Sequence, residues 1–275
     1  MSSIIAPEFS YVRPRAHDEL IEILATSDAP QILAGGTDLL VDLRHGSKRP
    51  GTLVDVKGVP DYRAITWSEE AGLSIGATAT INDLLHHPDV RAHYPLLVAC
   101  AEDLASHQIR NRATVAGNVV NASPCADMAP GLLCSHATAL VDSPTGERTI
   151  PFSEFFTGVK RTVLQPQEVL VRIQVPAEAA DARADYRKLK RIRGHDLGIV
   201  GVAVWKKGDD IRAGVSSSAP TPLLVEGLGE LGSVDDMVAR VAESISPISD
   251  VRCSAEYRSH MVQVFTRRLL QEVSR

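Results

Sequence analysis

QIRNRATVAGNVVNASPCADMAP, residues 108–130, holds more unusual local chemistry than any other stretch of the chain. Asn111, Gly117, Asn118, Asn121, Pro124, Asp127 and Pro130 interrupt both helix period and strand alternation, so the segment reads as one long loop. A loop of that length inside a compact chain is uncommon and is usually functional. Thr114 supplies a hydroxyl, Gly117 a backbone free to take positive φ, and Asn118 an amide, with Asn121, Ser123 and Asp127 adding further polar groups. That set suits a cradle for a phosphate or a polyol. A surface Ω-loop with Asx-turns would have the same composition.

A second motif lies upstream in QILAGGTDLLVDLRHG, residues 31–46. The apolar run Ile32–Ala34, bounded by Pro30 and by Gly35-Gly36, predicts a buried strand running straight into a tight turn, with Thr37 or Asp38 capping a short helix. A strand, a glycine pair and a helix start gather several free backbone N–H groups around one point, an arrangement that holds a pyrophosphate. The segment lacks the third glycine of G-x-G-x-x-G and the Lys-Ser/Thr of a P-loop, so it matches neither common nucleotide fingerprint. On its own it is equally a turn that needs positive φ twice.

The remaining composition narrows the field. At 275 residues the chain has room for about two domains, and 44% hydrophobic with 23% charged residues is an ordinary soluble balance. A net charge of -5 gives no global attraction to nucleic acid or anionic membrane. No apolar run reaches membrane-span length and the N-terminus has no signal-peptide pattern, so the expected location is cytoplasmic. Cys100, Cys125, Cys134 and Cys253 form no C-x-x-C pair, which argues against a disulfide framework, a zinc site or an iron–sulfur cluster held by this chain. His86 and His87, with Asp89 and His93 nearby, make a poor metal site because adjacent helical side chains point to different faces. No G-x-S-x-G elbow starts a hydrolase triad. The basic run Arg187, Lys188, Lys190, Arg191 and Arg193 reads as a solvated strand edge.

Read in order, residues 16–24 predict an opening helix, and Thr52–Val56, Tyr62–Thr66 and Leu73–Ala77 predict a small sheet. Thr80 is placed to cap a helix and Pro95 to start one. Residues 137–143 and 148–156 flank Pro144-Thr145-Gly146 as a hairpin, and residues 168–175 form another strand. PAEAADARAD, residues 176–185, reads as a linker. Beyond it, residues 186–192, 198–205 and 211–217 predict three strands, followed by helices over 234–245 and 256–273, the second burying Tyr257, Met261, Val264, Phe265 and Leu269. The fold class is therefore α+β, with a mixed region over 1–177 (subdomains about 1–57 and 58–177) and a three-stranded sheet with helices over 185–275.

Taken jointly, LAGGTDLL at 33–40, IRNRATVAGNVVNASPCADMAP at 109–130 and Tyr186–Ile192 with His195-Asp196-Leu197 resemble the FAD-binding, or medium, subunit of the molybdenum hydroxylases, the xanthine dehydrogenase and carbon monoxide dehydrogenase family. The resemblance extends over nearly the whole chain. It implies a two-subdomain FAD-binding fold of the vanillyl alcohol oxidase-like (PCMH) type followed by the family's own C-terminal domain. It also implies that Leu33, Ala34, Gly35, Gly36, Thr37, Asp38 and Leu39 wrap the FAD pyrophosphate. Thr114, Gly117, Asn118, Asn121 and Asp127 would meet the diphosphate and sugar, and Leu170 would lie near the ring system. Lys188 would bring an ammonium to the flavin, favouring a negatively charged reduced form. This chain has Ala116 where the family usually has the first glycine of Gly-Gly-Asn, so position 116 must either take negative φ or strain the loop.

The implied function is electron transfer inside a larger enzyme. A small subunit would bring [2Fe-2S] clusters and a large one the molybdopterin cofactor that acts on substrate, in a dimer of heterotrimers. Non-covalently bound FAD would pass electrons to NAD⁺, a quinone or another acceptor. The chain alone would not oxidise the substrate. Two rival readings are a stand-alone FAD oxidoreductase of the same fold and a non-catalytic binding protein whose glycine loops only make turns.

Overall fold

The computed structural model describes residues 8–192 and 194–275. The chain begins with β1 (Ser10–Val12), α1 (His17–Thr26), β2 (Pro30–Leu33), α2 (Leu39–His45) and β3 (Thr52–Asp55). After β4 (Ile65–Ser68) and β5 (Gly72–Gly76) come α3 (Ile81–His86), α4 (Pro88–His93), α5 (Pro95–Glu102), α6 (His107–Arg110), α7 (Val115–Val120) and α8 (Met128–Cys134). Then follow β6 (Thr138–Asp142), β7 (Arg148–Pro151), α9 (Phe152–Phe155), the hairpin of β8 (Phe156–Gly158) and β9 (Arg161–Thr162), and β10 (Val169–Val175). The last part holds β11 (Arg183–Leu189), β12 (Val200–Lys207), β13 (Asp210–Ser216), β14 (Leu223–Val225), α10 (Val234–Glu243) and α11 (Ala255–Val273).

Three sheets organise these elements. The first is a parallel sheet ordered β1-β3-β2, so Thr52–Asp55 does not join the strands near 65 and 73 as its spacing predicts. Every residue of β3 is buried, as a strand between two parallel neighbours requires. The second is antiparallel, ordered β4-β5-β10-β6-β7 and centred on β10. Tyr62 falls before β4 and is buried in the core, its carbonyl accepting from the Thr78 amide. Thr80 closes a capping box with Asp83, and Pro95 opens α5.

The third sheet has four antiparallel strands, β11-β12-β13-β14, one more than predicted. Its extra strand is a three-residue edge behind a Ser- and Pro-rich turn, too short to show alternation. The sheet is covered on both sides: α5 and α8 lie against one face and α11, backed by α10, against the other. Ala203 and Trp205 accordingly join the main core, which begins at Leu20 and Leu24 of α1, whereas Val202 and Val204 join the second core under α11. Double burial explains why β12 is a continuous apolar run.

Three further expectations are corrected. The stretch 108–130 is not irregular: α6, α7 and the start of α8 occupy most of it, each too short for a period to register. Residues 176–185 do not form a free linker. Trp205 Nε1 donates to Ala179 O (3.3 Å), Lys207 Nζ donates to Glu178 O and Ala180 O (3.0 and 2.8 Å), and β11 already starts at Arg183. On α11 the buried face runs through Arg258, Val262, Phe265, Leu269 and Val273, while Tyr257 is 48% exposed. Arg258 turns the helix that way, donating to the carbonyls of Ile199 and Ser217 and to Asp250 (2.7 Å).

Candidate functional site

β2 delivers Leu33, buried, to a turn at Ala34–Asp38 in which Gly36 takes φ 75°, a conformation that a side chain would oppose. The turn points its donors outward. The amides of Gly35, Gly36, Thr37, Asp38 and Leu39 donate to no acceptor among the described residues, whereas the Gly36 and Asp38 carbonyls accept from Leu40 and Asp42 as α2 begins. Asp38 stands at the N-cap position but makes no side-chain capping bond; its Oδ1 accepts from Asn121 Nδ2 at 3.0 Å. Thr37 makes no capping bond either, so the predicted cap is absent among the described residues. Lys57 braces the turn, donating from Nζ to Ala34 O (2.8 Å) and pairing with Asp55 (2.6 Å).

The second segment is held by its own side chains. Thr114 Oγ1 accepts from Gly117 N (2.9 Å) and caps α7, so that hydroxyl acts inside the protein. Gly117 is helical, which corrects the expectation that it serves a positive-φ turn; an added Cβ would lie 2.7 Å from Thr114 Oγ1. Ala116 is buried within the same helix, and the backbone at this position carries no strain. Asn118 Oδ1 accepts from Met128 N (3.2 Å), while its Nδ2 meets no acceptor among the described residues. Asn121 bridges Asp38 and Lys160, whose Nζ donates to its Oδ1 at 2.8 Å. Gly35 lies against the Arg112 carbonyl so closely that a Cβ would fall 2.1 Å from the oxygen. Residues 33–39 and 112–121, remote in sequence, therefore form one wall.

Beyond α7 the polar surface turns inward. Lys188 is not on a solvated edge: its side chain is 1% exposed, and its Nζ donates to Asp127 Oδ2 (2.9 Å) and Asp103 O (3.2 Å). Lys190 pairs with Asp103, Arg187 with Glu272 and Arg191 with Asp196, while Arg193 lies outside the described residues. Asp127 is buried, and its Oδ1 accepts from Tyr186 OH at 3.1 Å. Burial pushes the Asp127 carboxyl up from its ordinary value against the pull of the Lys188 ammonium, and burial pushes the Tyr186 phenol far up, so the phenol stays a donor. Leu170 is buried in the main core where β10 breaks register, and it offers only apolar surface.

The sequence-predicted residues thus fall into three places: a donor-rich wall (33–39 with 114–121), a buried ion pair (Asp127 and Lys188), and the core (Leu170). Lys57, Lys160, Asp103 and Tyr186 also belong here and were not anticipated. Tyr186 is legible in the strand pattern, since it lies two positions before Lys188 and positions two apart on a strand share a face. Amides without an acceptor among the described residues, on a left-handed turn beside the Asn118 amide, fit an anionic diphosphate, whereas the Asp127–Lys188 cluster satisfies its own groups inside the protein.

The comparisons with known proteins agree over nearly the whole chain. The family described as FAD binding domain in molybdopterin dehydrogenase matches residues 7–178, and the CO dehydrogenase flavoprotein C-terminal domain matches residues 184–273. The xanthine dehydrogenase FAD-binding subunit of Escherichia coli O157:H7 is 30% identical over 278 residues, covering 96% of this chain and 95% of the relative. The carbon monoxide dehydrogenase medium chain of Hydrogenophaga pseudoflava is 34% identical over 282 residues, covering 97% of each. Among solved structures, carbon monoxide dehydrogenase from Hydrogenophaga pseudoflava, in a form lacking the Mo-pyranopterin moiety of the molybdenum cofactor, matches with a TM-score of 0.90 at 32% identity over 98% of both chains. Quinoline 2-oxidoreductase from Pseudomonas putida 86 matches with a TM-score of 0.90 at 26% identity over 98% of both.

Proposed function

This chain belongs to the FAD-binding subunits of the molybdenum hydroxylases, the family of the xanthine dehydrogenase FAD-binding subunit and the carbon monoxide dehydrogenase medium chain, and from that membership we propose that it carries electrons rather than oxidising substrate itself. Residues 1–177 make the FAD-binding domain and 185–275 the C-terminal flavoprotein domain. FAD would be held non-covalently, its diphosphate by Leu33–Leu39, Thr114, Gly117, Asn118 and Asn121 and its ring system by Leu170 and Lys188; Asp127, expected at the diphosphate and sugar, would sit with Lys188 instead, because the two are paired. The observation that carries this reading is the row of amides from Gly35 to Leu39 that meet no acceptor among the described residues, pressed against the segment that begins at Arg112.

When bound, FAD supplies a two-electron store that exchanges electrons with one-electron and two-electron partners. The chain's own residues do the rest. Lys57 fixes the Ala34 carbonyl so that the following amides face the diphosphate, and Asn121 ties Asp38 to the second segment. Lys188 offers positive charge where a reduced ring gains negative charge. Four scattered cysteines give this chain no cluster ligands, so the electrons are supplied by a small [2Fe-2S] subunit, with a large molybdopterin subunit acting on substrate, in a dimer of heterotrimers. The acceptor is NAD⁺, a quinone or another oxidant.

Acid precipitation of the purified full chain tests the cofactor: FAD is expected in the supernatant, and a yellow pellet or released FMN would contradict the reading. Isolation from the natural source tests the partnership, with three co-purifying subunits expected. A free homo-oligomer turning over an organic substrate with FAD alone would replace this proposal by a stand-alone oxidoreductase.

A further inference from the structure

Lys188, Gly201 and Ser216 stand in one row across β11, β12 and β13, since Lys188 pairs with Gly201 and Gly201 with Ser216. The missing side chain in the middle of that row is filled from the side. A Cβ on Gly201 would lie 2.4 Å from both Ser216 Oγ and Tyr186 OH, so the two hydroxyls border the space that the glycine leaves open. From there Tyr186 OH donates to Asp127 Oδ1 at 3.1 Å, and Asp127 Oδ2 accepts from Lys188 at 2.9 Å. A hydrogen-bonded line thus runs from Tyr186 through Asp127 to Lys188, with Ser216 of β13 beside its phenol end. Its members are buried, so bulk water cannot replace any of them.

We propose that Tyr186, seated by Gly201 and Ser216, is a positioning residue that keeps Asp127 ionised against Lys188 and thereby sets the reduction potential of a flavin bound beside that pair. The inference rests on the placement of the flavin ring given above. Four groups bear on the Asp127 carboxylate, Tyr186 and Lys188 from β11 and Cys100 and Asp103 from α5 and its end, while Ser216 of β13 bears on Tyr186. Lys188 and Tyr186 are the ones that donate hydrogen bonds to it. Burial favours its neutral form, and Lys188 and Tyr186 oppose that preference. Without the phenol, one carboxylate oxygen loses its partner in a buried place, and taking up a proton relieves it. Lys188 then remains as an uncompensated cation, which stabilises negative charge on a reduced ring.

Equilibrium dye titration of the FAD-loaded full chain, reading the flavin midpoint potential at fixed pH, tests this with three variants. Lys188→Met, which removes the cation, is expected to lower the potential. Tyr186→Phe, which keeps the ring and removes only the hydroxyl, is expected to raise it. Ser216→Ala, acting one bond farther away, is expected to raise it less. Loss of packing alone would weaken FAD retention without moving the potential in opposite directions. If Lys188→Met lowers the potential and Tyr186→Phe leaves it unchanged or lowers it, the role of Tyr186 is overturned while the flavin placement stands. If Lys188→Met does not lower it, the ring is not beside this pair, and the placement fails together with the inference. Should Tyr186→Phe lose FAD or the fold, Ser216→Ala decides, and an unmoved potential there overturns the proposal.

Discussion

Gly36 and Gly117 were both singled out as glycines of binding loops, yet they resist substitution for different reasons. Gly36 sits at φ 75°, so Gly36→Val forces a β-branched residue into left-handed backbone at a cost of about 1–2 kcal/mol. Because the turn also aims the amides, titration with FAD is expected to show roughly tenfold or weaker binding. Gly117 is helical, and its substitution acts by pushing on Thr114 Oγ1. Gly117→Val and Thr114→Ala should therefore each remove the same cap, about 1 kcal/mol in urea denaturation, and the double variant should be little worse than Gly117→Val alone. A clearly additive double variant would separate the two residues. Sequence could mark Gly36, because two glycines between a strand and a helix demand a tight turn. It could not mark Lys188 as buried, because its partner Asp127 is 61 positions away and only the tertiary fold brings the two together.

At the scale of elements, capping was the most legible feature and phase the least. Thr80 followed by Asp83 encodes the start of α3 locally, and the box forms as its sequence implies. Thr80→Ala is expected to cost about 1 kcal/mol by chemical denaturation, with Thr80→Ser retaining most of it. On α11 the apolar pattern placed Tyr257 inside, but Arg258 takes the buried position, because Asp250 and two carbonyls await it there. Arg258→Met removes the buried partner of a half-buried ion pair and leaves two buried carbonyls without their donor, so a loss of about 2–3 kcal/mol is expected in urea denaturation. A change under about 1 kcal/mol would mean that Arg252 alone satisfies Asp250. The helices of 108–130 escaped notice because four to seven residues are too few to show a period.

For the molecule as a whole, acid stability follows from its paired carboxylates. Arg148 holds Glu168 below its ordinary value, Arg252 and Arg258 hold Asp250 lower still, and Arg63 and Thr80 bring Asp83 down although burial pulls it up. Each folded-state value lies below the unfolded one, so the stabilisation is present above about pH 4–5 and is lost as pH falls through the folded values. Asp127 has the opposite sign, since its raised value costs stability near neutrality and the cost is relieved on acidification. Melting temperature is expected to fall steadily below about pH 4.5, and Glu168→Gln should flatten that descent while lowering the plateau near pH 7. The α+β plan was readable because it rests on local periods and turn residues. That the third sheet lends Tyr186, Ala203 and Trp205 to the core begun by Leu20 was not, since a face buried on both sides gives no alternation.

That shared core has a consequence for the birth of the protein on the ribosome. When the first 178 residues have emerged, α5 and α8 still lack the strands that cover them, and Asp127 still lacks Tyr186 and Lys188. The nascent chain at that stage exposes apolar surface of the kind that chaperones hold. Both segments of the donor wall leave the exit tunnel early, before β12 and β13, which complete the core around them. Cofactor capture is therefore expected to come late, and chains truncated just before residue 184 should remain colourless and protease-sensitive in excess FAD, while full-length chains turn yellow.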